Sequence, residues 1–314
     1  MTAQEARERL RQFPLRIGVS SRALFSLEEE NRIFEEEGIA AYCRHQLDNE
    51  DEILSKGSAF QVVKRLLALN DDLTKPLVEI ILMSKNSPDL SLRAFNSIES
   101  YNLPVKLGSF TSGKPLAPFV KAWGIDLFLS NDPADVAAAV QAGSAAAKLG
   151  QPPSVHDDDD PDEVRIAFDG DAVLFSAESD EIYKQHGLDA FIAHEVSKAK
   201  EPMAGGPFGS FLKKLSLLRS VHLNDQHVSK VRICLVTARN APTHKRVIHT
   251  LRAWGTPVDE AHFVGANPKG PILKAARAHI FFDDQEKHVL GAADYVASGH
   301  VPGPHAAEAP VIPA

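Results

Sequence analysis

Asp169 and Asp171, two positions apart, close the apolar run Val164-Arg-Ile-Ala-Phe168. Carboxylates placed this way suit phosphoryl transfer, since one can attack phosphorus while its neighbour gives and takes a proton. Three later segments supply the remaining parts in order. Val231-Arg-Ile-Cys-Leu-Val-Thr237 is a second apolar run, ending in a hydroxyl that can donate to a phosphoryl oxygen. Lys269, in Asn-Pro-Lys-Gly ahead of a helix-like segment, is a cation able to offset charge on nucleophile and phosphate. His279-Ile-Phe-Phe-Asp283-Asp284-Gln285 ends another apolar run in carboxylates, hard oxygen donors of the kind Mg²⁺ prefers. Singly each has an ordinary reading, Asp-x-Asp as a turn or cap and Asp-Asp as a solvated turn. Their order along the chain gives them weight.

To serve one site, these residues must sit at the carboxyl ends of neighbouring parallel strands, where open α/β sheets place their ligands. Strands are predicted at 15–20, 77–83, 126–130, 164–169, 231–236 and 279–282, with helices at 59–70, 133–148, 208–219 and 243–253 between them. Short apolar strands alternating with amphipathic helices predict an α/β fold of parallel sheets covered on both faces. Arg239 and Asn240 follow Thr237 and are candidates for contacting a substrate, with helix capping as the alternative. Phe175, just past the Asp-x-Asp segment, is a candidate for stacking on a base or for plain packing.

Together the four segments resemble the motifs of the haloacid dehalogenase (HAD) superfamily of phosphohydrolases. The stretches 168–176, 235–239, 268–271 and 279–285, with Val19-Ser-Ser-Arg-Ala-Leu-Phe25 near the start, are similar to the cytosolic 5′-nucleotidase type I family. The resemblance implies a Rossmann-like HAD fold with a small helical cap inserted between the first and second motifs, about 176–230. It also implies Mg²⁺-dependent hydrolysis of nucleoside monophosphates, AMP or IMP foremost. Asp169 would form an aspartyl-phosphate, Asp171 would act as acid and then base, and Thr237 and Lys269 would bind the phosphoryl oxygens. Mg²⁺ would be held by Asp169, the backbone carbonyl of Asp171 and Asp283, with Asp284 either a further ligand or an orienting group. Another small phosphoester as substrate, or a nucleotide-sensing binding protein, are the competing readings. The segment 201–211 is expected to line a nucleoside pocket, with Gly205, Gly206 and Gly209 as hinges.

The chain also repeats itself. Arg16-Ile-Gly-Val-Ser-Ser-Arg-Ala lines up with Arg165-Ile-Ala-Phe-Asp-Gly-Asp-Ala, and Asn31-Arg-Ile-Phe34 through Tyr42 with Asp180-Glu-Ile-Tyr183 through Phe191. Val78 to Ser84 parallels Val231 to Thr237, and Ile125 to Asn131 parallels Ala278 to Asp284. The expected organisation is two tandem HAD-like halves. Residues 1–148 form a degenerate one, 149–163 an acidic linker, 164–301 the catalytic one, and 302–314 a mobile tail. In the first half Ser20 and Arg22 stand in place of Asp169 and Asp171, and Ser130 and Asn131 in place of Asp283 and Asp284. That half is either a scaffold completing its neighbour's pocket or an anion cradle for a nucleotide effector built from Ser20, Ser21, Arg22, Ser84 and Lys114.

Composition narrows the partners. With 314 residues, 44% of them apolar, the chain can build a sizeable core in each half. A net charge of −8 with scattered Lys and Arg excludes the basic footprint of a nucleic-acid polymer binder. The charged start of the chain and the lack of a long apolar run predict no signal peptide, no membrane span and a cytoplasmic protein. The two cysteines, Cys43 and Cys234, suit a reducing compartment. A homo-oligomer is left open by the sequence.

Overall fold

The computed structural model describes residues 1–153 and 163–303. Its strands are β1 (Leu15–Ser20), β2 (Phe25–Ser26), β3 (Ser55–Lys56), β4 (Val78–Ser84), β5 (Leu107–Phe110), β6 (Leu127–Ser130), β7 (Ala145–Leu149), β8 (Val164–Phe168), β9 (Val231–Thr237), β10 (Glu260–Phe263), β11 (Ile280–Asp283) and β12 (Ala297–His300). Ten of them form one sheet in the order β10-β9-β8-β11-β12-β7-β6-β1-β4-β5, while β2 and β3 make a separate antiparallel ribbon. Every neighbour in the large sheet is parallel except β7 and β12, which meet antiparallel with Leu149 opposite Gly299 and Lys148 opposite His300. Read outward from this seam, the order is β12-β11-β8-β9-β10 on one side and β7-β6-β1-β4-β5 on the other. The architecture is thus α/β, built on a large and mostly parallel sheet.

The central strands read as nearly continuous apolar runs because parallel strands are buried on both faces. All six predicted strands are present within one or two residues of their expected limits. The helix expected over 133–148 is different. It ends at Gln141, Gly143 turns the chain at φ 90°, and Ala145–Leu149 continues as strand β7. Alanine favours helix in isolation, yet Ala145, Ala146 and Ala147 are buried at the seam, where small side chains let β12 approach. A Cβ on Gly299 would lie 2.9 Å from both the Ala147 Cβ and the Phe282 ring. The seam therefore requires glycine there.

One face of the sheet carries a single hydrophobic cluster that crosses the seam, including Ile17, Val63 and Leu127 on one side and Ile166, Phe168 and Phe282 on the other. The opposite face carries separate clusters, one around Ile81, Phe128 and Val136 and one around Ala167, Val236 and Phe281. Behind the candidate site, Phe168 and Phe282 stack at 5.7 Å and Phe208 packs on Phe282 at 4.8 Å. Phe168 and Phe282 each sit one residue before an aspartate of interest, so packing fixes where Asp169 and Asp283 emerge. Truncating such a buried ring to alanine costs about 3–5 kcal/mol. The helix Ala3–Gln12 packs on the helix Gly209–Val221, and Lys214 pairs with Asp126 at 2.6 Å, so contacts also cross between the two strand sets away from the seam. Most of the acidic stretch expected as a linker, and residues 304–314 of the expected tail, lie outside the described residues.

Candidate active site

Asp169 follows β8, and its amide donates to the Phe282 carbonyl at 2.8 Å, tying it to β11. Lys269 immediately precedes the helix Gly270–Ala275 and donates from Nζ to Asp169 Oδ1 at 2.7 Å and to Asp283 Oδ2 at 2.6 Å. Asp283, the last residue of β11, also accepts from the Gln285 amide at 2.8 Å and pairs with His288 Nδ1 at 3.2 Å. Asp284 is held from behind, its carbonyl accepting from His300 Nε2 on β12 at 3.0 Å. Asp169, Lys269, Asp283 and Asp284 are all buried.

Burial sets the electrostatics. It pushes the Asp169 carboxyl up to about 6, opposed by Lys269 and reinforced by Asp283. Asp284 is pushed up to about 9 by burial and by the neighbouring Asp169 and Asp283. Burial acts upward on Asp283 too, but Lys269 and His288 outweigh it and hold that carboxyl below its usual range. Lys269 is held above its usual range because its two carboxylate partners outweigh burial. Oxygens of Asp169, Asp283 and Asp284 lie within 4.8 Å of one another. Three buried carboxylates exceed what one ammonium neutralises, and an all-oxygen donor set of this kind could hold a hard divalent cation.

Asp171 sits in the tight turn Gly170–Leu174 and is gripped by Arg239, Nε to Oδ2 at 2.7 Å and Nη2 to Oδ1 at 2.6 Å. Such a bidentate fork fixes both the position and the plane of the carboxylate. Arg239 also pairs with the fully buried Glu195 and lies over the Phe191 ring, 5.4 Å from its centroid. Arg246 completes the set, donating to Glu195 Oε1 at 2.8 Å. Thr237 ends β9, buried, and its Oγ1 accepts from the Arg239 amide at 3.3 Å.

A cleft of about 240 Å³ opens over these groups, walled by Asp169, Asp171, Thr237, Arg239 and Asn240 among others. Lys269, Asp283 and Asp284 lie beneath its floor. Phe175 is elsewhere, with no exposed surface and its ring 5.5 Å from Trp254 in the core. It packs rather than offering a face to a base. The large apolar side chains of the segment 201–211 are likewise turned inward, Met203, Phe208 and Phe211 being buried, and the segment does not line the cleft. A Cβ on Gly206 would lie 2.3 Å from the Phe175 carbonyl, so this glycine marks a close backbone approach and not a hinge. The aromatic wall comes instead from the helix Glu178–Ser197, kinked at Gly187 (φ 81°), through Tyr183 and Phe191, whose rings meet edge to face at 6.2 Å. Sequence reading misses Tyr183, Phe191, Glu195 and His288. Their placement along a kinked helix, and the i+5 spacing of His288 from Asp283, are the available signals.

The other strand set has its own cleft at the carboxyl ends of β1, β4 and β6, enclosing about 630 Å³ and lined by Ser20, Ser21, Arg22 and Ser84 among others. Arg22 is engaged by Glu28 at 2.9 Å and by Asn31 at 2.8 Å. Lys114 is exposed and does not line the cleft. The residue preceding the helix Ala117–Ala122, in the place Lys269 holds before its own helix, is the buried Leu116.

An α/β protein with a buried carboxylate and lysine centre at the carboxyl end of a parallel sheet is the class these observations define. The 5′-nucleotidase family model matches residues 7–308, and the chain belongs to the 5′-nucleotidase family. It is similar to a human protein named cytosolic 5′-nucleotidase 1B, 39% identical over 287 residues that cover 88% of this chain and 47% of the human one. The chain thus spans about half the length of that relative. No solved structure was found to match it. Among the described residues, no helix is long and apolar enough to cross a membrane.

Proposed function

We propose that this protein is a Mg²⁺-dependent 5′-nucleotidase that hydrolyses nucleoside 5′-monophosphates, AMP or IMP foremost, to nucleoside and phosphate. The observation carrying this reading is Lys269 bridging Asp169 and Asp283 at 2.7 and 2.6 Å beneath a cleft with an aromatic wall. Family membership and the name of the human relative support it. That name and the two free cysteines also support a cytoplasmic location.

In this mechanism an Asp169 oxygen attacks phosphorus and the bond to the ribose 5′-oxygen breaks. Asp171 gives its proton to that oxygen, so the nucleoside leaves neutral. Asp171 then takes a proton from the water that cleaves the acyl phosphate, and Asp169 returns to its starting state. The Arg239 fork keeps Asp171 aimed at the same point in both steps. Thr237 and Lys269 hold equatorial phosphoryl oxygens, where charge is spread in the transition state. Mg²⁺, bound by Asp169, Asp283 and the Asp171 carbonyl beside Asp284, would neutralise charge so that an anionic nucleophile can meet an anionic phosphate. Tyr183 and Phe191 take the base, and Asn240 lies at the mouth within reach of the sugar.

The organisation we propose is two tandem HAD-like halves, 1–148 and 164–301, joined through 149–163 and followed by a tail from 302. The helix Glu178–Ser197 serves the second half as its cap. Matching strand orders about the seam and matching glycine kinks, Gly38 at φ 84° and Gly187 at φ 81°, support a duplication. Phosphate release from a panel of nucleoside monophosphates and sugar phosphates, with Mg²⁺ or EDTA, tests the reading. EDTA-sensitive turnover of purine monophosphates is expected. Turnover spread over sugar phosphates would discard the substrate class, and none at all would discard the activity.

A further inference from the structure

We propose that the cleft at the carboxyl ends of β1, β4 and β6 is a second, non-hydrolysing site that binds an uncharged nucleoside. The inference rests on the reading of Tyr183 and Phe191 as the base wall of the catalytic cleft. The same wall stands in the first half. Phe34 and Tyr42 occupy the places of Tyr183 and Phe191 on either side of the Gly38 kink, and their rings meet edge to face at 5.8 Å and 82°, against 6.2 Å and 90° in the other half. Ile39 stands for Leu188 at the mouth, and both are exposed, at 68% and 57%. Even the support is shared: Arg93 donates to Gln46 at 2.9 Å as Arg246 does to Glu195 at 2.8 Å.

Most of what would handle a phosphate has gone, the Ser84 hydroxyl in the place of Thr237 being the exception. Ser20 replaces Asp169, Ser130 and Asn131 replace the carboxylate pair, Leu116 takes the place of Lys269, and Asn86 takes that of Arg239. Each cation left on the cleft wall is already neutralised. Arg22 is held by Glu28, and Lys85 by Asp132 at 2.8 Å and Asp135 at 2.9 Å. Among the described residues, no carboxylate cluster able to hold a metal lies in this half. Meanwhile hydrogen-bonding groups for a sugar or base remain: the Ser21 and Ser84 hydroxyls lie 3.4 Å apart, and Asn86 accepts from the Tyr42 hydroxyl at 2.9 Å. A cleft of about 630 Å³ is ample for a nucleoside. An aromatic wall with neutral polar groups beside it, and with both of its cations engaged by carboxylates, favours the product of the proposed reaction over its substrate.

Cys43, also on the cleft wall and partly exposed, reports occupancy of this site alone. Adenosine should slow alkylation of Cys43 by iodoacetamide at least about fivefold at saturation, and Phe34→Ala with Tyr42→Ala should abolish the protection while phosphate release stays within about twofold. Tyr183→Ala with Phe191→Ala should leave the protection in place. Equilibrium dialysis of adenosine should fall by one site in the Phe34 and Tyr42 variant. Absence of protection in the wild type, or protection surviving the Phe34 and Tyr42 changes, would overturn the proposal. Stronger protection by AMP or ADP than by adenosine would overturn the uncharged ligand. The readout does not involve turnover, so an inactive enzyme would defeat the proposed function without deciding this site.

Discussion

The Asp169 cleft and the Ser20 cleft lie at equivalent strand ends of one sheet, and they differ chiefly in where charge resides. In the first, charge is buried and concentrated, with Lys269 flanked by Asp169 and Asp283, and Arg239 flanked by Asp171 and Glu195. In the second, Arg22 with Glu28 and Lys85 with Asp132 lie nearer the surface, the buried pair Arg93 with Glu30 supports the aromatic wall, and the floor is made of hydroxyls and Leu116. The aromatic walls are alike. On the proposed reading, the comparison teaches that base recognition and phosphate chemistry are separable parts of this architecture, carried by different elements: a kinked helix for one, strand ends for the other.

The largest expected contrast is at the proposed nucleophile. Asp169→Asn should lower phosphate release by at least ~10⁴-fold with the fold retained, because Asp283 still pairs Lys269, whereas Ser20→Ala should leave the rate as it was. A reverse change, Ser20→Asp, should produce no second active site, because Ser130, Asn131 and Leu116 supply neither metal ligands nor cation. New activity surviving in Ser20→Asp with Asp169→Asn would break the comparison.

Lys269→Met comes next. It strands Asp169 and Asp283 without their cation, and removing one partner of a buried ion pair costs about 3–5 kcal/mol. Mg²⁺ should restore part of that stability in thermal melts. Leu116→Met, a volume-conserving swap at the matching place, should cost less than about 1.5 kcal/mol.

A smaller difference is expected between Arg239→Ala and Asn86→Ala. The first frees Asp171 and leaves Glu195 with Arg246 and the Ser179 hydroxyl, so kcat should fall by roughly 10²-fold, with a measurable loss of stability. The second removes one hydrogen bond from Tyr42 and should cost about 1 kcal/mol with no effect on kcat. Equal losses of kcat would contradict the separation of roles.

The subtlest contrast is between thiols. Burial, aided by Glu260, pushes Cys234 up to about 12, so it should resist alkylation at pH 8 while the partly exposed Cys43 reacts. Its folded pKa exceeds the ordinary thiol value, so the folded state holds the proton longer and stability should decline as pH rises from about 9 towards 12. Cys234→Ser melts across that range check the sign, since the variant should lose the slope.

Much of this molecule is legible in its chain because strand ends are local. An apolar run followed by a carboxylate or hydroxyl announces both the strand and the residue it delivers, so the positions of Asp169, Thr237 and Asp283 at strand ends follow from the sequence alone. Strands β5 and β10 escape such a reading because they are short, half-buried and outermost in the sheet, without an apolar run to mark them. Strand β7 is hidden in an alanine run whose local preference is helical, and only pairing with β12 decides it. The Asp171 and Arg239 fork joins residues 68 positions apart, and nothing in either segment encodes that meeting. Phe175 misleads because proximity to the motif says nothing about which way a ring faces.

The antiparallel seam between β7 and β12 has a consequence for any attempt to cut the molecule in two. Each of those strands would become the rim of an open sheet, presenting unpaired backbone N–H and C=O groups to other chains. The strand set from β8 to β12 expressed alone should therefore oligomerise or aggregate through β12. On this account β7 and the strands behind it act as a fixed guard on β12, which keeps that strand from becoming a template for other copies of the chain.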